Sequence, residues 1–147
     1  MMSCSPQYLP PEVRDQSAWY GPDMARRTDW IHNLSDADIP ELEDAAERLS
    51  HSASNLVSIS RDDFPLPSLG PRFNKLLDEV LNGRGFVLIR SLPVDRWTKR
   101  QAAIAFLGIG THLGSLRSQN AAGHLLGHVT DLGRSSHDPN VRIYQTH

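Results

Sequence analysis

The hydrophobic and polar positions of this chain combine stretches of helical periodicity with one short, continuous apolar run. The run covers residues 86–89, Phe-Val-Leu-Ile, and is preceded by Gly83 and Gly85. Its length and its β-branched and aromatic residues predict a strand that is buried on both faces. The segments on either side have apolar residues at helical spacing. The pattern therefore predicts a helix, a buried strand and a second helix around residues 83–93.

Three helices are predicted from apolar residues that recur three or four positions apart. The first begins near Asp38, because Pro40 is tolerated only in a first turn. The second ends at Gly83, a common C-terminal stop. The third begins at Thr98, which has the spacing of a capping box with Gln101. The apolar residues are Ile39, Leu42, Ala45, Ala46 and Leu49 in the first helix, Leu69, Phe73, Leu76, Leu77 and Val80 in the second, and Ala102, Ala103, Ile104, Phe106, Leu107 and Ile109 in the third.

The remaining segments are expected to be extended or looped. Residues 1–37, with several prolines, are predicted to form an extended N-terminal arm in front of a domain formed by residues 38–147. Aromatic and apolar side chains are expected to anchor this arm, although an aromatic cage for a ligand is an alternative. The anchors are Trp19, Tyr20, Met24 and Trp30. Further short strands are expected at residues 56–59, 125–129 and 141–146, so the predicted fold class is α/β (α+β).

Composition and charge restrict the possible partners. The chain has 147 residues, a hydrophobic fraction of 39% and a formal net charge of -2. This charge gives no electrostatic reason to expect nucleic acid or an anionic membrane as a partner. Cys4 is the only cysteine, which excludes an internal disulfide and favours a reducing compartment. No signal peptide or transmembrane stretch is visible, so we expect a cytoplasmic protein.

Two motifs invite a chemical interpretation. His124, His128 and Asp131 could hold a zinc or iron ion, but glycines flank both histidines and hydrogen-bonded structural histidines are the favoured interpretation. The glycines of residues 108–114 have the spacing GxGxxxG and lie at the end of a predicted helix. A dinucleotide-binding turn instead follows a strand and precedes a helix. We expect these glycines to let the chain leave the helix and pack closely.

The order of signals along the chain resembles the TauD/TfdA-like (clavaminate-synthase-like) dioxygenases. The resemblance covers nearly the whole chain and rests on the order and spacing of its segments. These segments are Trp19, Met24 and Trp30, residues 82–95, residues 108–114, Gln119-Asn120, residues 123–131 and residues 142–146.

This resemblance implies an oxidoreductase that uses Fe(II) and 2-oxoglutarate on a double-stranded β-helix, or jelly-roll. The family binds iron through a His-x-Asp/Glu motif and a distant second histidine, which leaves one face of the metal open. No histidine here is followed two positions later by Asp or Glu. The chain is therefore expected to be an N-terminal portion, truncated before the iron motif. We expect it to contain no catalytic residue and no metal ligand, and to bind neither cofactor tightly.

The resemblance also suggests where a small-molecule substrate would lie. The loop after residues 108–114 would approach the substrate, which makes Gln119 and Asn120 candidate substrate-binding residues. Both amides could equally satisfy the backbone of their own loop. Two other interpretations stay open: a non-catalytic interaction module that self-associates through unpaired strands, and a small zinc-binding protein that uses His124, His128 and Asp131.

Overall fold

Helices packed on one another and a small parallel sheet form the regular structure of this chain, a mixed α/β arrangement. The structure is a computed structural model that describes residues 12–51, 58–127 and 133. Contacts divide the chain into two compact units, Met1–Leu116 and Arg117–His147. The elements are α1 (Gly21–Met24), β1 (Ile31–Asn33), α2 (Ile39–His51), α3 (Leu69–Asn82), β2 (Leu88–Arg90) and α4 (Lys99–Leu113).

The first predicted helix, α2, is confirmed together with its buried face. All five of its predicted apolar residues are buried. Its start next to Asp38 is held by that carboxylate, which accepts hydrogen bonds from the Ser35 backbone N–H and hydroxyl at 2.8 Å each. The same carboxylate accepts two bonds from Arg72 Nη1 of α3, at 2.8 and 2.7 Å. These bonds fix the entry to α2 and tie it to α3.

The N-terminus of α3 is capped by a side chain from α2. Glu41 Oε1 accepts from the Ser68 N–H at 2.7 Å and Oε2 from the Leu69 N–H at 3.1 Å. The side chain of the N-cap residue Ser68 makes no capping bond. The first N–H groups of a helix lack partners within the helix, and a carboxylate there also interacts favourably with the helix dipole. Glu41 therefore joins the start of α3 to the first turn of α2.

The third predicted helix, α4, begins as expected but continues further. Both halves of the capping box form: the Gln101 N–H donates to Thr98 Oγ1 at 3.2 Å, and Gln101 Oε1 accepts from the Thr98 N–H at 2.9 Å. The expectation that Gly108 and Gly110 release the chain from the helix is wrong, because both lie inside α4 and Gly114 is the C-cap. Close packing at Gly108 is confirmed, since a Cβ atom there would overlap the Phe64 ring.

The buried face of α4 differs in part from the face that the sequence predicts. Phe106 was expected in the core, and it is 65% exposed. Leu107 is buried as predicted, and Ala105 is buried although the pattern did not include it. The face towards the other helices contains Gly108 and His112, and Phe106 lies off that face. The buried residues of α4 are Ile104, Ala105, Leu107, Gly108, Ile109 and His112.

The apolar run does form a strand, but the strand is shorter and more exposed than predicted. It covers Leu88–Arg90 and pairs in parallel with β1, with Ile31 opposite Leu88. Leu88 is 40% exposed and Arg90 is also exposed, so the expectation of a strand buried on both faces is wrong. Within the described residues β1 is its only sheet neighbour. The preceding Phe86 packs edge-on against Trp19 and Trp30, with ring centroids 5.0 and 5.7 Å apart.

The predicted arm contains regular structure of its own. Met24 of α1 is buried, and β1 lies at residues 31–33. Trp19 and Trp30 contact Phe86, whereas Tyr20 is largely exposed. The division of the chain into residues 1–37 and 38–147 stays a prediction.

The other predicted strands fall partly or wholly outside the described residues. Ser58 and Ile59, and residues 125–127, are described and adopt no strand. The rest of those two predicted strands, and all of residues 141–146, lie outside the described part, as does Cys4. None of the helices in the described ranges has both the length and the apolar character needed to cross a lipid bilayer.

The cap that Glu41 provides predicts a measurable loss of stability in Glu41→Ala. Removing the carboxylate leaves the Ser68 and Leu69 N–H groups without their acceptor, so the free energy of unfolding should fall by about 1–2 kcal/mol. Glu47→Ala is the matched control, because Glu47 lies on the exposed face of the same helix, and it should change stability by less than about 0.5 kcal/mol. Urea unfolding followed by circular dichroism would measure both. Equal midpoints for the two variants would contradict the assignment.

The close contact at Gly108 predicts opposite effects for two glycines of the same helix. Alanine favours a helix over glycine by about 1 kcal/mol. At Gly110 an added Cβ would meet only Leu116 Cδ2, at 3.5 Å, so Gly110→Ala should be neutral or stabilising. Gly108→Ala should lower the free energy of unfolding by about 1–3 kcal/mol, because the new methyl group overlaps Phe64. Thermal unfolding of the two variants would test this, and stabilisation by Gly108→Ala would disprove the contact.

Candidate functional site

The two predicted substrate-binding residues, Gln119 and Asn120, lie in an exposed loop of the Arg117–His147 unit. Asn120 Oδ1 accepts from the backbone N–H groups of Ala122 and His124, each at 3.1 Å. The Gln119 N–H donates to the His124 carbonyl at 2.7 Å, and Gln119 Nε2 donates to the Arg117 carbonyl at 2.9 Å. Both amide side chains therefore hold the loop in shape. Their part in substrate binding stays a prediction.

Asn120 also orients His124. Asn120 Nδ2 lies 2.9 Å from His124 Nδ1. Because Asn120 Oδ1 already accepts two backbone N–H groups, the amide orientation is fixed and Nδ2 is the donor. His124 Nδ1 is then the acceptor of this hydrogen bond. The structure thus brings Asn120 and His124 together, a pairing that the sequence did not predict.

The metal site considered for His124, His128 and Asp131 stays a prediction, because His128 and Asp131 lie outside the described residues. His112 is buried in α4, and its Nε2 lies 2.8 Å from the Phe64 carbonyl, to which it donates. Among the described residues there is no group of three His, Cys, Asp or Glu side chains that could hold a metal ion.

A groove that the sequence did not predict lies in the Met1–Leu116 unit. It has a volume of about 460 Å³ and is lined by residues in and on both sides of α1 and by residues at and just after the end of α3. Its lining includes Trp19, Tyr20, Met24, Arg27, Glu79 and Arg84. Trp19 is 47% exposed and Tyr20 is 77% exposed, so both rings are accessible beside the groove.

Four charged side chains with alternating signs run beside this groove, and we call them the charge chain: Arg27, Asp29, Arg84 and Glu79. Asp29 accepts from Arg27 Nε at 3.0 Å and from Arg27 Nη2 at 2.6 Å, and Arg84 Nη2 donates to Asp29 Oδ2 at 2.9 Å. Arg84 Nε donates to Glu79 Oε1 at 2.7 Å. Arg27, and then Arg84, hold the pKa of Asp29 well below its usual range. The hydrogen bond from Arg84 likewise lowers the pKa of Glu79.

The local sequence explains how Arg84 reaches Glu79. A Cβ atom at Gly83 would come within 2.7 Å of the Glu79 carbonyl oxygen, so glycine permits the close turn after α3. The side chain of Arg84 is only 13% exposed. Its Nη1 is buried and has no hydrogen-bond partner among the described residues. A buried donor of this kind costs about 1–3 kcal/mol when it stays unpaired.

The chain is similar to two curated proteins. It is 29% identical over 121 residues to the taurine hydroxylase-like protein SAT17 of Stachybotrys chartarum, a match that covers 82% of this chain and 31% of that protein. It is 23% identical over 141 residues to FR-33289 synthase of Streptomyces rubellomurinus, which covers 95% of this chain and 42% of that protein. The chain thus spans about a third to two-fifths of the length of these relatives. No protein family model matches it.

The charge chain predicts a pH-dependent contribution of Asp29 to stability. The pKa of Asp29 is lowered in the folded chain, so its stabilising effect is present above the unfolded value of about 4 and is lost as the pH falls through the folded value. The stability difference between the wild-type chain and Asp29→Asn should therefore narrow as the pH falls from about 6 towards 3. The control is Asp62→Asn, since Asp62 is exposed and forms no ion pair within the described residues. Urea unfolding at each pH would measure both differences, and a constant difference for Asp29→Asn would contradict the prediction.

Proposed function

We propose that this chain is the N-terminal part of a TauD/TfdA-like oxidoreductase that couples the decarboxylation of 2-oxoglutarate to the oxidation of a small organic substrate at Fe(II). The observation that carries the proposal is the similarity to a taurine hydroxylase-like protein along 82% of this chain. The similarity to FR-33289 synthase, along 95% of this chain, supports it from a second and more distant relative. The order of sequence segments that resembles the dioxygenase family agrees with both.

The exposed parallel sheet is consistent with a fold that continues beyond these residues. Parallel strands usually lie inside larger sheets with both faces covered. Here β2 pairs only with β1 within the described residues, and Leu88 is 40% exposed. A jelly-roll is built from antiparallel strands, so the parallel pairing supports only a larger sheet. We propose from the family resemblance that β1 and β2 belong to an incomplete jelly-roll, and that α2, α3 and α4 pack beside it.

The proposal assigns little chemistry to this chain. In the complete enzyme Fe(II) and 2-oxoglutarate would supply the oxidising chemistry. The described residues contain no fitting metal site, and no histidine of the sequence begins a His-x-Asp/Glu motif. We therefore propose that the chain alone is inactive and binds neither cofactor tightly.

The proposed contribution to substrate binding comes from the loop of the Arg117–His147 unit. Asn120 would act mainly by holding the loop, because both ends of its amide are engaged. Gln119 would contact the substrate through its amide oxygen, which accepts no hydrogen bond from the described residues. A cytoplasmic location, self-association through unpaired strands and the absence of nucleic acid and membrane partners stay predictions, as does the zinc site.

A turnover measurement tests whether the chain alone is inactive. The purified 147-residue chain, incubated with Fe(II), ascorbate and 2-oxoglutarate, should form no succinate above a protein-free control, because it lacks the iron motif. Succinate formed at enzymatic rates would disprove the inactivity of the chain alone.

The coding sequence provides the complementary test. Sequencing the transcript beyond the codon for His147 should reveal a His-x-Asp/Glu motif shortly downstream, and the extended product should form succinate in the same assay. A transcript that ends at His147, or an extended product without turnover, would contradict the proposal.

A further inference from the structure

We propose that the groove beside the charge chain is a binding site for a small monocarboxylate that carries a flat, apolar body. This inference does not depend on the proposed oxygenase function. All of the residues that carry it belong to the Met1–Leu116 unit, whereas Gln119 and Asn120 belong to the Arg117–His147 unit. It rests on unused guanidinium donors, on the charge balance of the groove and on its aromatic wall.

The donors come from two arginines that share one carboxylate. Arg27 and Arg84 both contact Asp29 Oδ2, at 2.6 and 2.9 Å, so their guanidinium groups lie close together beside the groove. Arg84 Nη1 is buried without a partner, and Arg27 Nη1 makes no hydrogen bond within the described residues. A guanidinium group matches the two oxygens of a carboxylate well, and charge-assisted bonds of this kind are the strong ones. The buried Arg84 Nη1 therefore lacks an acceptor oxygen, most favourably an anionic one, and the half-exposed Arg27 offers a second donor to the same ligand.

The carboxylates of the groove disfavour a ligand that carries more than one negative charge. The two arginines of the charge chain are already balanced by Asp29 and Glu79. A second carboxylate, Asp23, also lines the groove and pairs with Arg26. A di- or trianion such as a phosphate ester would meet these carboxylates with excess negative charge, whereas a monocarboxylate uses the free donors alone. The site thus favours monocarboxylates over phosphorylated ligands.

The aromatic residues favour a ligand with a flat, apolar body. Trp19 is held edge-on against Phe86, with centroids 5.0 Å apart, and still has nearly half of its surface exposed. Tyr20 is 77% exposed, and the buried Met24 contributes apolar lining. A volume of about 460 Å³ suits a ligand of a dozen or so heavy atoms. Because Arg84 Nη1 is buried, a ligand reaches this atom only when the side chains that cover it move.

The probe we choose is phenylacetate, with phenylacetamide as its uncharged counterpart. Titration into the ¹⁵N-labelled full chain would follow the three tryptophan indole N–H resonances. Phenylacetate should shift the Trp19 resonance saturably and leave that of Trp97, which donates to Glu43 and does not line the groove, unchanged. Phenylacetamide should bind at least about tenfold more weakly, since it cannot form the charge-assisted bonds.

Two neighbouring arginines provide a matched pair of variants. Arg27→Gln removes a donor of the groove and should weaken phenylacetate binding about tenfold. Arg26→Gln removes a more exposed charge that does not line the groove (75% against 54% for Arg27), and because it only frees Asp23 of its partner, it should weaken binding clearly less than Arg27→Gln. Neither variant breaks the contacts of Arg84 with Glu79 and Asp29, so both should stay folded, which the dispersion of the same spectra reports.

Three results would overturn the proposal. Absence of a saturable shift at Trp19 would show that the groove does not bind an aromatic monocarboxylate. Equal affinity for phenylacetate and phenylacetamide would show that the groove binds the aromatic ring without using its guanidinium groups. Equal loss of affinity in the Arg26→Gln and Arg27→Gln variants would assign the effect to general surface charge.

Discussion

The arrangement of the long helices depends on the contact between α4 and Phe64. This ring is fully buried and lies so close to Gly108 that no side chain would fit between them. One turn later in α4, His112 donates to the carbonyl of the same residue at 2.8 Å. Its ring also lies beside Gly70 in the first turn of α3. Phe64 therefore connects the segment before α3 to α4 through both its side chain and its backbone.

The sequence predicted well those features that depend on neighbouring residues. The buried face of α2, the bounds of α3 and the capping box of Thr98 and Gln101 all follow from residues within one or two turns of each other. The cap that Glu41 provides could not be predicted in this way, because Glu41 and Ser68 are 27 residues apart. The exposure of Leu88 was missed for a related reason. A continuous apolar run indicates a strand, but its burial depends on what lies on each face of the sheet.

The candidate sites also differ in whether their residues lie close together or far apart in the sequence. Gln119 and Asn120 were identified by resemblance, and their hydrogen bonds are all within their own loop. Arg84 and Asp29, which meet beside the groove, are 55 residues apart and belong to no recognisable spacing. The only local signal for this site was Gly83 followed by Arg84 at the end of α3. The similarity to longer curated proteins concerns the chain as a whole and says nothing about that groove.

The parallel pairing of β1 and β2 has a consequence for the order in which this chain folds. Ile31 pairs with Leu88, and both α2 and α3 lie between them in the sequence. Closing so long a loop before any helix forms would cost conformational entropy that a three-residue ladder cannot offset. We therefore expect the helices to associate first, with α2 and α3 packed on α4 and with Glu41 and Asp38 bonded to the start of α3. Because α4 follows β2 in the sequence, the pairing of β1 with β2 is then expected to be a late event in folding.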